Sequence, residues 1–477
     1  DATATSAMKK IGGEQRMEGD DDEEEEEEEY CEEEYCAPIP NDRIVIPNTI
    51  SYTSVIDAYA QSNRPNAASD AERIFRRMER ARSETGNDAA VPNAQSFNAV
   101  LNAWAQTGTG RGAMRAEEIL RRMVELGKGE DGDGDGEGVK PTVVSFTTVM
   151  NGWAKSNESG AADRALGIYR LMSELRDSGD TTARPNAFTY STLIDSLCRA
   201  GRFEEATELW EDMAKSYERA RANNGGKEEG GGTAAAAPNA IQLTHIVSTL
   251  GKSGDPQAGA KADALLDRLE SLHSTHKLDR LRPNVRTYTA VITAHAKSRS
   301  FNKARAAASA LDRLKSAYAA SASDDVRPNV AAYTSLLNAC AFAVGDAPEK
   351  REALRIAAAA YQQMCSDPNG YGAGVRPNQY AYGTMLRVCS NLIPPGKERT
   401  ASMTSVFRRC KDEGFVNETV LRAMRGGLSE EECIEAIGSK VASEAKVAGD
   451  IPEEWRRNVT KGGGGFRNTQ QRRRGGG

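Results

Sequence analysis

Residues Arg184–Met213 read RPNAFTYSTLIDSLCRAGRFEEATELWEDM, and this stretch decides the fold. Tyr190, Leu193, Ile194 and Leu197 recur at steps of three and four, so they form one apolar stripe of a helix. An Ala200-Gly201 turn follows, and Ala206, Leu209, Trp210 and Met213 form a second stripe. One such hairpin cannot bury both stripes by itself, whereas a stack of hairpins can. Tyr190, Leu193, Trp210 and Met213 are therefore expected to hold a stack.

Copies of the first helix start recur along the chain. They read PNTISYT at 47, PNAQSFN at 92, PTVVSFT at 141, PNAFTYS at 185, PNAIQLT at 238, PNVRTYT at 283, PNVAAYT at 328 and PNQYAYG at 377. Proline ends what precedes it, asparagine caps a helix, and the aromatic opens the apolar stripe. The second helix recurs as well, as in Ala71, Ile74, Phe75 and Met78, or Ala165, Ile168, Tyr169 and Met172. Met403, Val406, Phe407 and Cys410 complete an eighth hairpin, and a capping helix or two is expected over Ala423–Ala436. The expected fold is all-α, a right-handed superhelical solenoid of about eight helix-turn-helix repeats.

Composition fits this reading. The chain of 477 residues is 39% hydrophobic, with no run long enough for a membrane span. Its net charge is −7, but residues 20–34 alone carry −13, so the remainder is +6. Residues 1–44 are expected to be a disordered acidic leader, 45–417 the repeat array, 418–460 a helical C-terminal cap and 461–477 a flexible basic Gly/Arg tail. The leader serves solubility, or competes for the basic body, or recruits a basic partner. The first residue is Asp, so a targeting peptide could be missing. The eight cysteines are scattered, which argues against a disulfide scaffold, and Cys198, Cys340 and Cys389 read as small core residues.

Proline-to-proline spacings run from 44 to 53 residues. Inserts at 131–138, 223–237 and 320–325 account for much of the variation and lie after the second helix, where they leave the stacked core untouched.

The first-helix signature, with AGRFEEATELWEDM after it, resembles the pentatricopeptide repeat family of organellar RNA-binding solenoids. The resemblance covers about residues 47–417, in eight phased copies. The Trp/Leu/Gly/Tyr pattern of tetratricopeptide repeats is absent. None of the seven proline-to-proline units is as short as the family's, and a lengthened second helix is one way to place the surplus.

The resemblance implies single-stranded RNA as partner, read one base per repeat by two or three side chains. It places the reading positions at the residue after each aromatic and the residue after the next proline. The pairs are Thr53 with Asn93, Asn98 with Thr142, Thr147 with Asn186, Ser191 with Asn239, Thr244 with Asn284, Thr289 with Asn329 and Thr334 with Asn378. In the family Thr or Ser with Asn favours adenine, and Asn at the first position favours a pyrimidine. The implied site is A, pyrimidine, then five A, with Gly383 unable to read. Ile50, Gln95, Val144, Phe188, Ile241, Arg286, Ala331 and Tyr380 are implied to flank the bases. The chemistry alone leaves another reading open: Asn after Pro is an ordinary cap, and a helical Thr or Ser can satisfy itself on the preceding turn.

No catalytic constellation emerges, and neither a cofactor, a metal, a membrane nor a small-molecule substrate is expected. Asp131, Asp133, Asp135 and Gly136 imitate a calcium loop, but Thr142 stands where its Glu is needed. Gly251-Lys252-Ser253 ends like a phosphate loop, with Ile246 where its first Gly belongs. The four histidines and the absence of HxE and CxxC pairs exclude the deaminase-like extension of some family members. His273 and His276 read as surface residues, and a metal at Cys31 and Cys36 is not expected. The resemblance thus implies a mitochondrial or chloroplast factor in RNA processing, stability or translation, working with processing or translation proteins. The alternative is a scaffold that binds a protein in an RNA-related complex.

Overall fold

The computed structural model describes residues 46–62, 64–85, 87–127, 139–223, 236–366, 375–438 and 451–459. The expected leader, the basic tail, the insert at 131–138, most of that at 223–237, and Cys31 and Cys36 lie outside the described residues. The chain divides into two units, Asp1–Ile46 and Pro47–Gly477, and the second holds the repeats.

The described residues of this second unit are helical. The first helices are α1 (Thr49–Gln61), α3 (Ala94–Gln106), α5 (Val143–Ser156), α7 (Ala187–Arg199), α9 (Ala240–Leu250), α11 (Val285–Lys297), α13 (Val330–Ala341) and α15 (Gln379–Leu392). The second helices are α2 (Ala67–Thr85), α4 (Gly110–Gly127), α6 (Ala161–Asp177), α8 (Phe203–Asn223), α10 (Ala258–His276), α12 (Lys303–Ser321), α14 (Ala347–Ser366) and α16 (Lys397–Asp412). These are the eight hairpins of the sequence pattern. No helix among the described residues is long and apolar enough to cross a membrane.

Each first helix packs on the next, from α1 against α3 through to α13 against α15, so they form one continuous row. Each second helix packs on its own first helix and on the one that follows. The apolar stripes meet in these contacts. Leu193, Ile194, Leu197, Ala206, Trp210 and Met213 are all buried, and Tyr190 is half-buried with its hydroxyl accepting from that of Tyr169 at 3.2 Å. Burying a side chain of this size contributes about 1.5–3 kcal/mol, and every unit repeats the set. Small residues let the row close up: a Cβ on Gly152 of α5 would lie 3.1 Å from the Ala105 Cβ of α3. Gly201, at φ 73°, makes the left-handed turn that leads into α8.

The second helices are the longer ones. They run from 16 residues in α16 to 21 in α8, whereas the first helices run from 11 in α9 to 14 in α5 and α15. The insert at 320–325, expected after the second helix, begins inside it. There α12 continues to Ser321 and a 3-10 turn spans Asp324–Val326. Similar turns span Asp88–Ala90, Thr181–Ala183 and Asp279–Leu281. Each ends two residues before a proline on a buried residue: Ala90, Ala183, Leu281 or Val326. Two of them reach back to the previous unit, with Asn87 Nδ2 donating to the Pro47 carbonyl at 3.0 Å and Thr182 Oγ1 to that of Pro141 at 3.2 Å. Successive helix starts are thereby tied together.

The C-terminal segment is also more regular than the pattern suggested. α17 (Glu418–Gly427) packs on α15 as a ninth first helix, and Asn417 caps it through Val420 N–H at 3.0 Å. α18 (Glu430–Ile437) and a short α19 (Glu453–Arg456) follow. The ninth start is hidden in the sequence because Val416 replaces the proline.

Candidate nucleic-acid interface

The first-helix starts lie in register, so the same three positions recur from unit to unit. The asparagine is the first. Asn48, Asn93, Asn186, Asn239, Asn284, Asn329 and Asn378 each occupy the N-cap with extended backbone. Their Oδ1 atoms accept backbone N–H groups of the first turn, at 3.0 Å from Thr189 to Asn186 and 2.8 Å from Gln242 to Asn239. The oxygen thereby faces the helix start. Among the described residues no protein acceptor meets the Nδ2 group of these caps, so each holds its donors in reserve. Thr142 stands at this place in the third unit, bonded through its backbone N–H to Ser145 Oγ at 3.1 Å.

The second position is the residue after the aromatic. The hydroxyls of Thr53, Thr147, Ser191, Thr244, Thr289 and Thr334 all donate to the carbonyl four residues back, at 2.6–2.8 Å. The self-satisfied arrangement is thus the one formed. It does not close the site, because a hydroxyl that has given up its proton keeps lone pairs to accept with. Thr53, Asn98, Ser191, Thr244, Thr289 and Thr334 are half-buried. Thr147 is buried, at 4% exposure, and stands apart from the others.

The third position carries side chains that the fold leaves in solvent. Ile50 is 74% exposed, Val144 59%, Phe188 61%, Ile241 73% and Tyr380 52%, while Gln95 and Arg286 are also exposed and Ala331 is half-buried. Large apolar or aromatic groups thus stand exposed at this one position in five of the eight units, which scattered surface residues would not do.

A further layer lies beneath the readers and carries no local sequence signal. The third helical residue of each unit lies under the reader of the unit before it, and three units make a bond there. Ser145 Oγ donates to Asn98 Oδ1 at 2.6 Å, Gln242 Nε2 donates to Ser191 Oγ at 2.9 Å, and the Thr244 and Thr287 hydroxyls lie 2.7 Å apart. Ser145, Gln242 and Thr287 are buried and also bond the cap region of their own helix, at 3.1, 3.0 and 3.4 Å to the N–H of Thr142, Asn239 and Asn284. So the expected pairs Asn98–Thr142, Ser191–Asn239 and Thr244–Asn284 are joined through a third side chain. Thr289 and Thr334 are followed by Ala332 and Ala381, which have nothing to bridge with. No bond of this kind joins Thr53 to Ser96 or Thr147 to Thr189 among the described residues. A polar residue stands two before each of these positions except Thr334, but where it bonds, its partner lies 43 to 51 residues away in the chain.

A basic residue also precedes the proline in five units, at Lys140, Arg184, Arg282, Arg327 and Arg376. These cations stand beside the caps in the chain. Burial pushes the thiols of Cys198 and Cys389 up to about 11 and that of Cys340 up to about 12, so they are inert core groups. His273 and His276 are partly buried rather than surface residues; His273 Nδ1 lies 3.1 Å from the Leu278 carbonyl and His276 packs edge-on against Tyr217. Among the described residues no three His, Cys, Asp or Glu side chains gather as metal ligands do.

Stacked helical hairpins, with a capping residue at each first-helix start, define a helical-repeat protein. Two stretches, 50–83 and 183–214, match family models described as PPR repeat. Those two stretches are thus pentatricopeptide repeats. No curated protein matches it. Among solved structures it is similar to the pentatricopeptide repeat protein PPR10 in complex with an 18-nt psaJ RNA element, at 19% identity and a TM-score of 0.40, covering 82% of this chain and 43% of that one. A cysteine-to-serine variant of that complex gives the same values. The chain therefore spans less than half the length of those structures.

Proposed function

We propose that the row of first-helix starts binds single-stranded RNA with sequence selectivity, one base per repeat, as repeats of this family do. The observation that carries this reading is the row of exposed apolar side chains. Leaving Ile50, Val144, Phe188, Ile241 and Tyr380 in water gains nothing for the fold. At the faces of bases the same side chains gain stacking and burial, typically about 1–3 kcal/mol per base for the aromatic ones.

The polar groups beside them support a base preference. A reader hydroxyl whose proton is committed to its own helix offers an acceptor, and the next cap's Nδ2 offers a donor. An adenine edge presents the complement, its N6 amine as donor and N1 as acceptor. Six of the seven pairs follow this pattern with Asn at the cap, and the second pair, Asn98 with Thr142, departs from it. The site proposed is thus A, pyrimidine, then five A, and the role is in processing, stability or translation of a mitochondrial or chloroplast transcript.

The test is binding of that seven-base oligomer against U-rich and C-rich controls at fixed salt. Tighter binding of the matched oligomer is expected, with affinity falling as salt rises. Equal affinities overturn base-by-base reading. No RNA affinity at low salt overturns the proposal in favour of a protein-binding scaffold.

A further inference from the structure

The bond between Ser145 and Asn98 fixes more than packing. An asparagine amide has two faces, an acceptor oxygen and a donor nitrogen, and the two ends are exchanged by a half-turn of the group. Ser145 Oγ has one proton. It accepts the Thr142 backbone N–H at 3.1 Å, and its own proton goes to Asn98 Oδ1 at 2.6 Å, a much nearer acceptor than Thr142 Oγ1 at 3.4 Å. Ser145 is completely buried, so no solvent competes for that proton. With the oxygen held from below, Asn98 has its Nδ2 donors left for a ligand.

We infer that Ser145 is a positioning residue for base choice: it holds the Asn98 amide donor-outward, so the second repeat takes the O2 acceptor that both pyrimidines carry and that adenine, with a C–H in its place, lacks. This rests on the base-by-base reading above and deepens it. The residue that sets the letter at the second base would then belong to the third repeat, beneath the two readers and out of reach of the RNA. Gln242 under Ser191 and Thr287 under Thr244 occupy the same place. Ala332 and Ala381 leave Thr289 and Thr334 without such a partner.

The experiment compares the full chain with Ser145→Ala and Ser145→Thr, using seven-base RNAs that differ only at the second base. Unaltered protein is expected to prefer a pyrimidine there. Ser145→Ala frees the amide to turn its oxygen outward, so the preference for pyrimidine over adenine falls roughly tenfold, the scale of one hydrogen bond. Preferences at the other six bases stay unchanged, and Ser145→Thr, which keeps the hydroxyl, retains the original preference. Three results overturn the inference. If Ser145→Ala weakens all RNAs equally, the residue acts only on the fold. If it leaves the second-base preference intact while the unaltered protein discriminates, the bridge is not what orients Asn98 and base-by-base reading survives without it. If the unaltered protein discriminates at no base, base-by-base reading fails first and the inference falls with it. Melting curves on all the proteins separate loss of fold from loss of discrimination, and if Ser145→Ala does not fold, Ser145→Cys, a near-isostere whose thiol is a weak donor, carries the test with the same fall in preference expected.

Discussion

Trp153 Nε1, on α5, donates to Glu117 Oε2, on α4, at 3.0 Å, joining one repeat to the next inside the stack. Trp104 and Glu72 make the same bond one repeat earlier at 2.8 Å, and His295 Nε2 lies 2.8 Å from Asp263 Oδ2 in the same register further on. In the corresponding places elsewhere the first helices carry Leu197, Leu250, Cys340 and Cys389, opposite Leu166, Thr207, Ala308 and Ala358. A ring N–H and an acid are used together or not at all. Trp210 is different: it is fully buried and its indole N–H has no partner among the described residues.

Trp153→Phe should therefore destabilise the chain more than Trp210→Phe. The first removes a donor from the buried Glu117 carboxylate, costing about 1–3 kcal/mol beyond the change in volume. The second removes no hydrogen bond. Paired denaturant melts of the two variants check the order.

Acid should loosen the first two repeats through Glu72. Its burial raises the carboxyl pKa, but hydrogen bonds and charge from Arg115 and Arg76 outweigh that and hold it below its ordinary 4.5. A carboxylate lowered in the folded state contributes stability that is present above its ordinary value and lost as pH falls through the lowered one. Melting temperature should thus drop on acidification below about 4.5, and more gently in Glu72→Gln, which has no charge to lose.

Phe188→Ala and Tyr380→Ala should separate binding from folding. Both side chains are more than half exposed, so stability should change by about 0.5 kcal/mol or less. RNA affinity should fall by about 1–3 kcal/mol for each. Unchanged affinity in both would remove these side chains from the interface. Titration of the matched oligomer, beside a thermal melt, reads both quantities.

Asn284 is predicted to have two separable roles. Its Oδ1 accepts Arg286 and Thr287 N–H, both at 3.0 Å, so Asn284→Ala should cost about 1 kcal/mol of stability. Asn284→Asp keeps the cap oxygen and loses the Nδ2 donors. It should melt like the unaltered chain and bind adenine at the fifth base more weakly, read with oligomers that vary only there.

Much of the fold is legible in the sequence because each hairpin is local. The proline, the cap and the apolar steps of three and four lie within about thirty residues, and every unit repeats them. The eight hairpins, the buried Leu193 and Trp210, and the lengthened second helices follow from that. The features that escape a sequence reading depend on partners far away in the chain. The 3-10 turns at Asp88–Ala90 and Thr181–Ala183 look like polar loops until Asn87 and Thr182 find the carbonyls of Pro47 and Pro141, about forty residues back. The ninth first helix escapes for a local reason, since Val416 gives no proline signal although Asn417 caps as its counterparts do. The bridge from Ser145 to Asn98 spans 47 residues and exists only once the two helices are in register.

The caps also limit how such an array can change. Good helix caps are few: Asn, Asp, Ser and, less well, Thr. These are also short polar side chains that can meet a base with one donor or acceptor while the helix start holds the rest of the residue still. On the proposed base-by-base reading, a mutation among them exchanges one letter for another and leaves the hairpin standing, whereas a mutation outside them loosens the hairpin before it alters any letter. The vocabulary of such a chain would then be set by helix chemistry, and its spelling could drift one repeat at a time without putting the fold at risk.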